Sequence, residues 1–195
     1  MREDEIVSRE TIEERKKIFL DLLSSWNKKV NLVQSNSLQD FELRHWGDSL
    51  QILRYIKNKN SKVLDLGSGG GFPGIVLGIH GVNVVLTEVI QKKIAFLQEV
   101  VRLCCLDNVK IIKDASLFSG KADIITARAF ADLEAILGYH QNVSRETSVG
   151  IYHKGQSCKQ EIKKALEKYA FDCKVCPSQT SKEGVILLIS NLLKK

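Results

Sequence analysis

The first third of the chain carries its apolar residues at helical spacing. From Thr11 to Val30, apolar positions recur every three or four residues with charged residues between them, and this period predicts an amphipathic helix. The stretch 39–57 repeats the period and predicts a second helix. Residues 1–60 are therefore predicted to form a helical N-terminal extension that packs on the rest of the chain.

After residue 61 the pattern changes to short apolar runs that alternate with helical stretches. The runs are continuous, which is typical of strands buried on both faces of a parallel sheet. The predicted strands are 62–66, 82–88, 109–112, 123–126, 148–152, 172–176 and 185–190, and the predicted helices are 72–80, 91–104, 131–139 and 156–169. Residues 61–195 are thus predicted to form an α/β, Rossmann-like core with a mostly parallel seven-stranded sheet and an antiparallel C-terminal strand.

Length and composition are those of one compact domain. The chain has 195 residues, 44% of them hydrophobic, which is enough for a substantial core. Its longest apolar runs are strand-sized and fall well short of the roughly 20 residues that cross a bilayer. The charged residues 1–5 are not followed by an apolar signal segment. We therefore expect a cytoplasmic protein with no membrane association.

The cysteine content and the net charge indicate which chemical environment and which kind of partner to expect. Five cysteines, an odd number, do not make a disulfide framework in a chain of this length. Cys173 and Cys176 have the spacing of a redox or zinc motif, but no second ligand pair accompanies them, so no metal site is expected. The formal net charge of +6 favours a polyanionic partner, and nucleic acid is the leading candidate.

A glycine-rich turn follows the first predicted strand and runs from Gly67 to Gly74, directly after Asp65 and Leu66. In an open parallel sheet, ligands bind beyond the carboxyl ends of the strands, where the strand order reverses beside strand one. Glycines at that place let the backbone turn sharply and approach a ligand closely. Glu88, about 20 residues further on, ends the second strand, where a carboxylate accepts hydrogen bonds from a ribose diol.

Two cofactors satisfy this pattern. The glycines also match the fingerprint of dinucleotide-binding turns, in which a pyrophosphate lies on a helix N-terminus, so an NAD(P)-dependent oxidoreductase remains an alternative. Two details favour S-adenosylmethionine. Asp65 stands where a carboxylate would receive the methionine ammonium group, and the bulky Phe72 and Pro73 would crowd a pyrophosphate.

Six separated motifs resemble those of one known family. In chain order they are Trp26-Asn27 with Val30-Asn31-Leu32, Arg44-His45-Trp46-Gly47-Asp48-Ser49-Leu50, the turn from Asp65 to Gly74, Lys92-Lys93 with Phe96-Leu97, Ala127-Arg128-Ala129-Phe130-Ala131, and Lys154-Gly155. The sequence resembles, over nearly its whole length, the bacterial RsmG (GidB) family of small-subunit rRNA guanine-N7 methyltransferases.

This resemblance implies a class I methyltransferase fold and S-adenosylmethionine as the cofactor. It also implies methylation of N7 of one guanine in 16S rRNA, with the free rRNA or a small ribosomal subunit particle as the partner. We expect a monomer, because the sequence leaves no obvious apolar helix face unused.

The resemblance further implies a set of site residues at the carboxyl edge of the sheet. Arg128, after strand four, and Lys154, after strand five, are expected to act where cofactor and substrate meet, Lys154 through a phosphate. Guanine N7 has a free lone pair, so no general base is required and catalysis rests on alignment. The residues expected to bind the cofactor are Asp65, Gly67, Gly69, Gly71, Phe72, Glu88, Ser116, Leu117 and Arg128.

The loop after the third strand departs from the family pattern. The family usually carries an arginine and a glutamate there, whereas this chain has Asp114-Ala115-Ser116-Leu117. Contacts to the adenine are therefore expected from the backbone amides of Ser116 and Leu117, which do not depend on side-chain identity. The altered loop and the basic charge leave a third interpretation, a non-enzymatic rRNA-binding or assembly factor on the same fold.

Three polar or aromatic residues of the N-terminal extension are interpreted as structural. His45 and Asp48 are three residues apart on the predicted second helix and share a face, from which they would fasten the extension to the sheet. Trp26 falls on the apolar stripe of the first helix and is assigned to the core.

Overall fold

A computed structural model describes residues 7–58 and 60–195, and the charged residues 1–5 noted above lie outside this range. The described chain forms one sheet with helices on both faces. Its strands are β1 Val63–Leu66, β2 Val84–Thr87, β3 Val109–Ile112, β4 Ala122–Arg128, β5 Ser144–Lys154, β6 Tyr169–Pro177 and β7 Val185–Lys194. Its α-helices are α1 Arg9–Asn27, α2 Asp48–Leu50, α3 Gly74–Ile79, α4 Gln91–Leu103, α5 Leu133–Val143 and α6 Cys158–Lys168.

The sheet confirms the predicted architecture. Its strand order is β3-β2-β1-β4-β5-β7-β6. The pairs from β3 through β5 are all parallel, and β7 is antiparallel to both β5 and β6. The order reverses between β1 and β4, so the carboxyl ends of these two strands flank the crevice in which such folds bind ligands.

Two apolar layers cover the sheet. On one face, α1, α3 and α4 pack together, with Phe19 and Leu23 of α1 fully buried. On the other face, α5 and α6 pack over β4, β5 and β7. All four residues of β1 are buried, which explains its unbroken apolar pattern apart from Asp65. In the described part of the chain, no helix is long and apolar enough to span a membrane.

The prediction of one continuous helix over 39–57 is wrong. The structure has a π-helical segment Phe41–Gly47, the short α2, and a 3-10 turn Leu53–Tyr55. A Cβ on Gly47 would lie 2.9 Å from the carbonyl oxygen of Glu42, so glycine permits the wide turn. This wide turn buries Phe41, His45 and Trp46 together, and π-helical segments of this kind are frequent at functional sites.

Other element boundaries shift by a few residues for identifiable reasons. Helix α1 ends at Asn27 rather than at residue 30, because the Asn27 side chain accepts the backbone N–H groups of Leu32 and Val33 at 2.9 and 3.0 Å. Strand β5 is longer than predicted at both ends. Trp26 is half-buried with its ring 5.8 Å from that of Phe96, which confirms its place in the core.

A buried histidine–tyrosine pair between α5 and β5 leads us to expect that the stability of the protein depends on pH. His140 Nδ1 and Tyr152 Oη lie 2.6 Å apart, and burial lowers the pKa of His140 to about 4. The folded state therefore requires neutral His140, whereas the unfolded chain protonates it below about pH 6.5. We expect its stabilising contribution to be complete well above pH 6.5 and to fall by about 3 kcal/mol as the pH drops to 4.

The check is to compare His140→Gln with the unsubstituted protein by urea unfolding across this pH range. The variant should lose less free energy of unfolding between pH 6.5 and 4, since glutamine does not titrate. Parallel pH profiles of the two proteins would contradict the assignment.

Candidate functional site

Three cavities adjoin one another at the carboxyl ends of the parallel strands. The β2 cavity, about 290 Å³, lies beside the ends of β1, β2 and β3. The N-terminal cavity, about 1230 Å³, lies between the glycine turn and the N-terminal extension. The β5 cavity, about 670 Å³, lies beyond β4 and β5. Among the described residues, Ala129 alone lines all three, which places the end of β4 at their junction.

The glycine turn forms the floor between the β2 and N-terminal cavities. Gly67 has φ +61° and lines both of them. A Cβ there would lie 2.2 Å from the Phe130 ring, whereas a Cβ on Gly69 would meet nothing closer than 3.8 Å. Gly67 therefore has no room for a side chain beside Phe130, whereas the backbone at Gly69 is open to close approach by a ligand.

Glu88 fixes the turn and faces the β2 cavity. Its carboxylate accepts the backbone N–H of Gly69 at 3.0 Å and that of Ile90 at 2.9 Å, one on each oxygen. The side chain thereby joins the glycine turn to the start of α4. Carboxylate oxygens have further lone pairs, so the group retains acceptor capacity for a hydroxyl in the cavity.

Asp65 lies beneath the turn. It is fully buried, its Oδ1 accepts the Thr126 hydroxyl at 2.8 Å, and its Oδ2 has no hydrogen-bond partner among the described residues. Burial raises the pKa of Asp65 to about 6. Asp65 does not line any of the three cavities, and a Cβ on Gly74 would lie 2.7 Å from its Oδ2, so the carboxyl group packs closely against the start of α3.

Arg128 ends β4 and reaches across the crevice to the N-terminal extension. Its guanidinium lies 2.7 Å from His45 Nδ1, 3.2 Å from Asp48 Oδ2 and 5.3 Å from the centre of the Phe72 ring. Burial lowers the pKa of Arg128, and the neighbouring Asp48 opposes that effect. The guanidinium is therefore held in one orientation, with Nη2 beside His45 and Nη1 beside Asp48.

The next residue, Ala129, has φ +50°, a left-handed conformation that L-residues seldom adopt. This sharp turn separates the side chains on either side of it. Arg128 faces the N-terminal and β5 cavities, whereas Phe130 covers Gly67 beside the β2 cavity. Strained backbone of this kind clusters at functional sites.

His45 is neutral, and its tautomer follows from its partners. Burial and the nearby Arg128 lower the pKa of His45 to about 4. Because a guanidinium only donates, Nδ1 accepts from Arg128 and Nε2–H donates to Ser37 Oγ at 2.7 Å. Ser37 in turn donates to the carbonyl of Gln34 at 2.6 Å. The ring also stacks on Phe72 at 4.9 Å, so His45 connects the extension to the glycine turn.

Asp48 connects the same arginine to the loop between β6 and β7. Its Oδ1 accepts from Thr180 Oγ1 and from Gln51 Nε2, both at 2.7 Å, and its carbonyl oxygen lies 2.8 Å from His153 Nε2. His45 and Asp48 do fasten the N-terminal extension to the sheet. They do so through Arg128 rather than through each other.

Lys154 is already paired. Its ammonium donates to Glu161 Oε2 and to the carbonyl oxygen of Ala131, both at 2.7 Å, and its side chain is only 7% exposed. Glu161 also accepts the backbone N–H of Leu133. Lys154 thus joins β5 to the first turns of α5 and α6 while its backbone borders the β5 cavity.

Ser116 and Leu117 lie outside the lining of the three cavities. The Ser116 amide donates to Asp114 Oδ1 at 2.7 Å and the Leu117 amide to the Asp114 carbonyl at 3.0 Å. The β2 cavity is instead lined by Asp114, Ala115 and Phe130, which the sequence reasoning did not assign to the site. An acidic residue two positions after the end of the third strand was the signal that would have identified Asp114.

Three basic side chains at the cavity mouths have no hydrogen-bond or ion-pair partner within residues 7–58 and 60–195. Arg44 and Lys93 line the N-terminal cavity, and Lys93 and Lys113 line the β2 cavity. Unpaired cations around a cleft attract a polyanion such as an RNA backbone.

Comparison with known proteins gives concordant results. Residues 12–186 match the family GidB, described as rRNA small subunit methyltransferase G. The chain is 40% identical to ribosomal RNA small subunit methyltransferase G of Rickettsia bellii (strain OSU 85-389), over 93% of this chain and 94% of that protein. It is 42% identical to the protein of that name from Orientia tsutsugamushi (strain Ikeda), over 94% of this chain and 92% of that one.

Solved structures share the fold at low sequence identity. A ribosomal protein L11 methylase from Lactobacillus delbrueckii subsp. bulgaricus superposes with a TM-score of 0.61 and 19% identity, over 73% of this chain and 76% of that one. The glycopeptide N-methyltransferase MtfA complexed with sinefungin superposes with a TM-score of 0.64 and 9% identity, over 74% and 93% of the two chains. These likenesses confirm the Rossmann-like class I methyltransferase fold.

Proposed function

Because this chain belongs to the GidB family of rRNA small subunit methyltransferases, we propose that its three cavities bind S-adenosylmethionine and an rRNA guanine for methyl transfer to N7. The observation that carries the proposal is the convergence of all three cavities at Ala129. A methyl donor and an acceptor have to meet at one point, and that convergence supplies it.

The residues around the glycine turn fit the cofactor. The β2 cavity offers Glu88 to a ribose diol and Asp114 to an adenine amino group, since both residues line it. Gly67, Gly69 and Gly71 supply the close backbone approach, and Asp65 and Phe72 support the turn from behind. Arg128, held in place by His45 and Asp48, is assigned to the junction of cofactor and acceptor. We assign no direct cofactor contact to Ser116 or Leu117. We assign to Lys154 the role of holding Ala131 beside the junction.

Methylation of guanine N7 needs no general base, and we assign none to the site. When bound, S-adenosylmethionine supplies a methyl group from a sulfonium sulfur, so that guanine N7 gains the methyl and the positive charge while neutral S-adenosylhomocysteine remains. No proton moves in this exchange. The protein therefore needs to align the two groups, and the fixed Arg128, His45 and Asp48 network provides rigid walls for that purpose.

The proposal also specifies the RNA substrate, the oligomeric state, the cellular location and the domain organisation of the enzyme. The acceptor is one guanine of 16S rRNA, free or in a small ribosomal subunit particle, and the unpaired cations Arg44, Lys93 and Lys113 support such a partner. The enzyme acts as a monomer in the cytoplasm. The extension, 1–60, and the core, 61–195, form one domain, as the packing of α1 against α3 and α4 supports. Family membership disfavours the dinucleotide-dependent oxidoreductase and the non-enzymatic assembly factor.

Replacing Glu88 with glutamine is expected to weaken S-adenosylmethionine binding about tenfold to hundredfold. Both carboxylate oxygens accept backbone N–H groups, and an amide has only one acceptor oxygen to offer them. Titration calorimetry measures the effect. Glu146→Gln, at an exposed position of β5, is the control and should bind normally. Unchanged affinity in Glu88→Gln would remove Glu88 from the cofactor site.

Mass mapping of small-subunit rRNA from cells with and without the gene tests the proposed function. We expect one guanosine to carry an N7 methyl group only when the gene is present, and an active-site variant should not restore it. An identical set of methylated nucleosides in both strains would refute the proposed reaction.

A further inference from the structure

We propose that the acceptor guanine enters the β5 cavity rather than the larger N-terminal cavity, and that Glu183 recognises its base edge there. This inference rests on the function proposed above and deepens it by assigning the base to one of two available cavities. It makes Glu183, in the loop between β6 and β7, a specificity-determining residue.

Position in the fold favours the β5 cavity for the base. It opens beyond the carboxyl ends of β4 and β5, on the side of the crevice away from Glu88 and the β2 cavity. It shares Asp48, Arg128, Ala129 and Ser181 with the N-terminal cavity, so the two communicate directly beside the junction. A base in the β5 cavity would therefore face a cofactor held over the glycine turn from the opposite side of Ala129.

The two cavities also differ in lining. The β5 cavity has the apolar side chains of Ile136, Val185 and Ile186, and its volume of about 670 Å³ lies in the range of small-molecule sites. Most of the lining of the N-terminal cavity is polar and includes the cations Arg44 and Lys93, although Leu32, Val33, Leu43 and Phe72 also line it. Apolar walls suit an unstacked base, whereas amides and cations suit the flanking sugar-phosphate strand.

Glu183 supplies the chemistry that distinguishes guanine. Its carboxylate is exposed, lines the β5 cavity, and has no hydrogen-bond or ion-pair partner among the described residues. Two carboxylate oxygens match the adjacent N1–H and N2–H donors of guanine, and adenine presents no such donor pair. The negative charge also stabilises the positive charge that the purine acquires on N7 methylation.

Gly155 offers a way to close this cavity selectively. It lines the β5 cavity, its φ lies outside the left-handed region, and a Cβ built on it meets no atom within 4 Å. Phenylalanine at this position therefore projects into open space without displacing the fold. Gln156, which is exposed and lines the same cavity, provides a second filling position through Gln156→Trp.

The experiment measures three quantities for Gly155→Phe and Gln156→Trp with unmethylated small-subunit rRNA. We expect kcat/KM for methyl transfer to fall about a hundredfold or more, because the base is excluded from the productive position. The Kd for S-adenosylmethionine by calorimetry and the Kd for rRNA by filter retention should stay within about threefold. Glu146→Phe, at the opposite end of β5, is the bulk-matched control and should retain activity.

Each outcome of this experiment supports or overturns the assignment of the guanine base to the β5 cavity. Full activity in a stably folded filling variant overturns the assignment of the base, and loss of cofactor affinity would assign the β5 cavity to the cofactor instead. If the unsubstituted protein itself transfers no methyl group, the proposed function has failed rather than this inference.

The variant Glu183→Gln tests recognition of the guanine edge without changing the volume of the β5 cavity. We expect its kcat/KM to fall about tenfold to hundredfold at unchanged cofactor affinity, because an amide has one acceptor where guanine presents two donors. Activity should recover in part with Glu183→Asp, which keeps the charge. Equal activity of the glutamine variant and the unsubstituted protein would remove Glu183 from guanine recognition.

Discussion

Replacing Arg128 with methionine is expected to lower the free energy of unfolding by about 3 kcal/mol and to abolish methyl transfer. The buried guanidinium pairs with Asp48 and His45 and packs on Phe72. Methionine fills much of the volume but leaves the Asp48 carboxylate without its cation and His45 Nδ1 without a donor. Removing one partner of a buried pair costs more than the pair itself contributes, because an uncompensated charge stays behind.

Urea unfolding and a methyl-transfer assay on the same preparation check this prediction. Arg102→Met is the control, since Arg102 pairs with Glu99 on the exposed face of α4 and its loss should leave stability unchanged within error. Two equally stable variants would mean that Arg128 is not the centre of the network. A destabilised but fully active Arg128→Met would confine the residue to a structural role.

Replacing Gly67 with alanine is expected to lower kcat/KM about a hundredfold. Gly67 combines φ +61° with a ring carbon of Phe130 2.2 Å from the site of a Cβ. Alanine there strains the backbone and forces Phe130 or the turn to shift at the place where the β2 and N-terminal cavities meet. A misplacement of about 1 Å at a reacting centre is sufficient for a loss of this size.

The variant Gly120→Ala is the control that distinguishes the effect of backbone strain from the effect of disturbing the cavities around Gly67. Gly120 also has a left-handed φ, +90°, but a Cβ there meets only the Lys62 ammonium at 3.8 Å. Both variants should lose about 1–2 kcal/mol of stability from the left-handed alanine, and only Gly67→Ala should lose activity. Steady-state kinetics with thermal unfolding of both variants tests this, and equal activities would contradict the placement of Gly67.

Features that depend on local sequence were predictable. Glycines need to follow β1 because the chain turns there at positive φ, and Glu88 directly follows β2, where its carboxylate binds the turn. Both signals lie within a few residues of a recognisable strand. The mostly parallel sheet followed from the alternation of strands and helices, because parallel strands require crossover connections, whereas the strand order came only from the structure.

Features that depend on tertiary contacts were not predictable. Residues 41–47 have a helical apolar pattern, but their wide turn depends on contacts with the core and on Gly47. Lys154 carried the signal of an available cation, and only the structure shows that Glu161 lies within 2.7 Å of it. The partnership of Arg128 with His45 and Asp48 joins residues about 80 positions apart, which periodicity does not report.

The most direct test of the central claim is methyl transfer by the purified protein. The protein is incubated with tritiated S-adenosylmethionine and small-subunit rRNA that lacks the modification, and the rRNA is then digested to nucleosides. Our account predicts that label appears in 7-methylguanosine from a single position and disappears with Arg128→Met. Label in another nucleoside, or none despite cofactor binding, would contradict it.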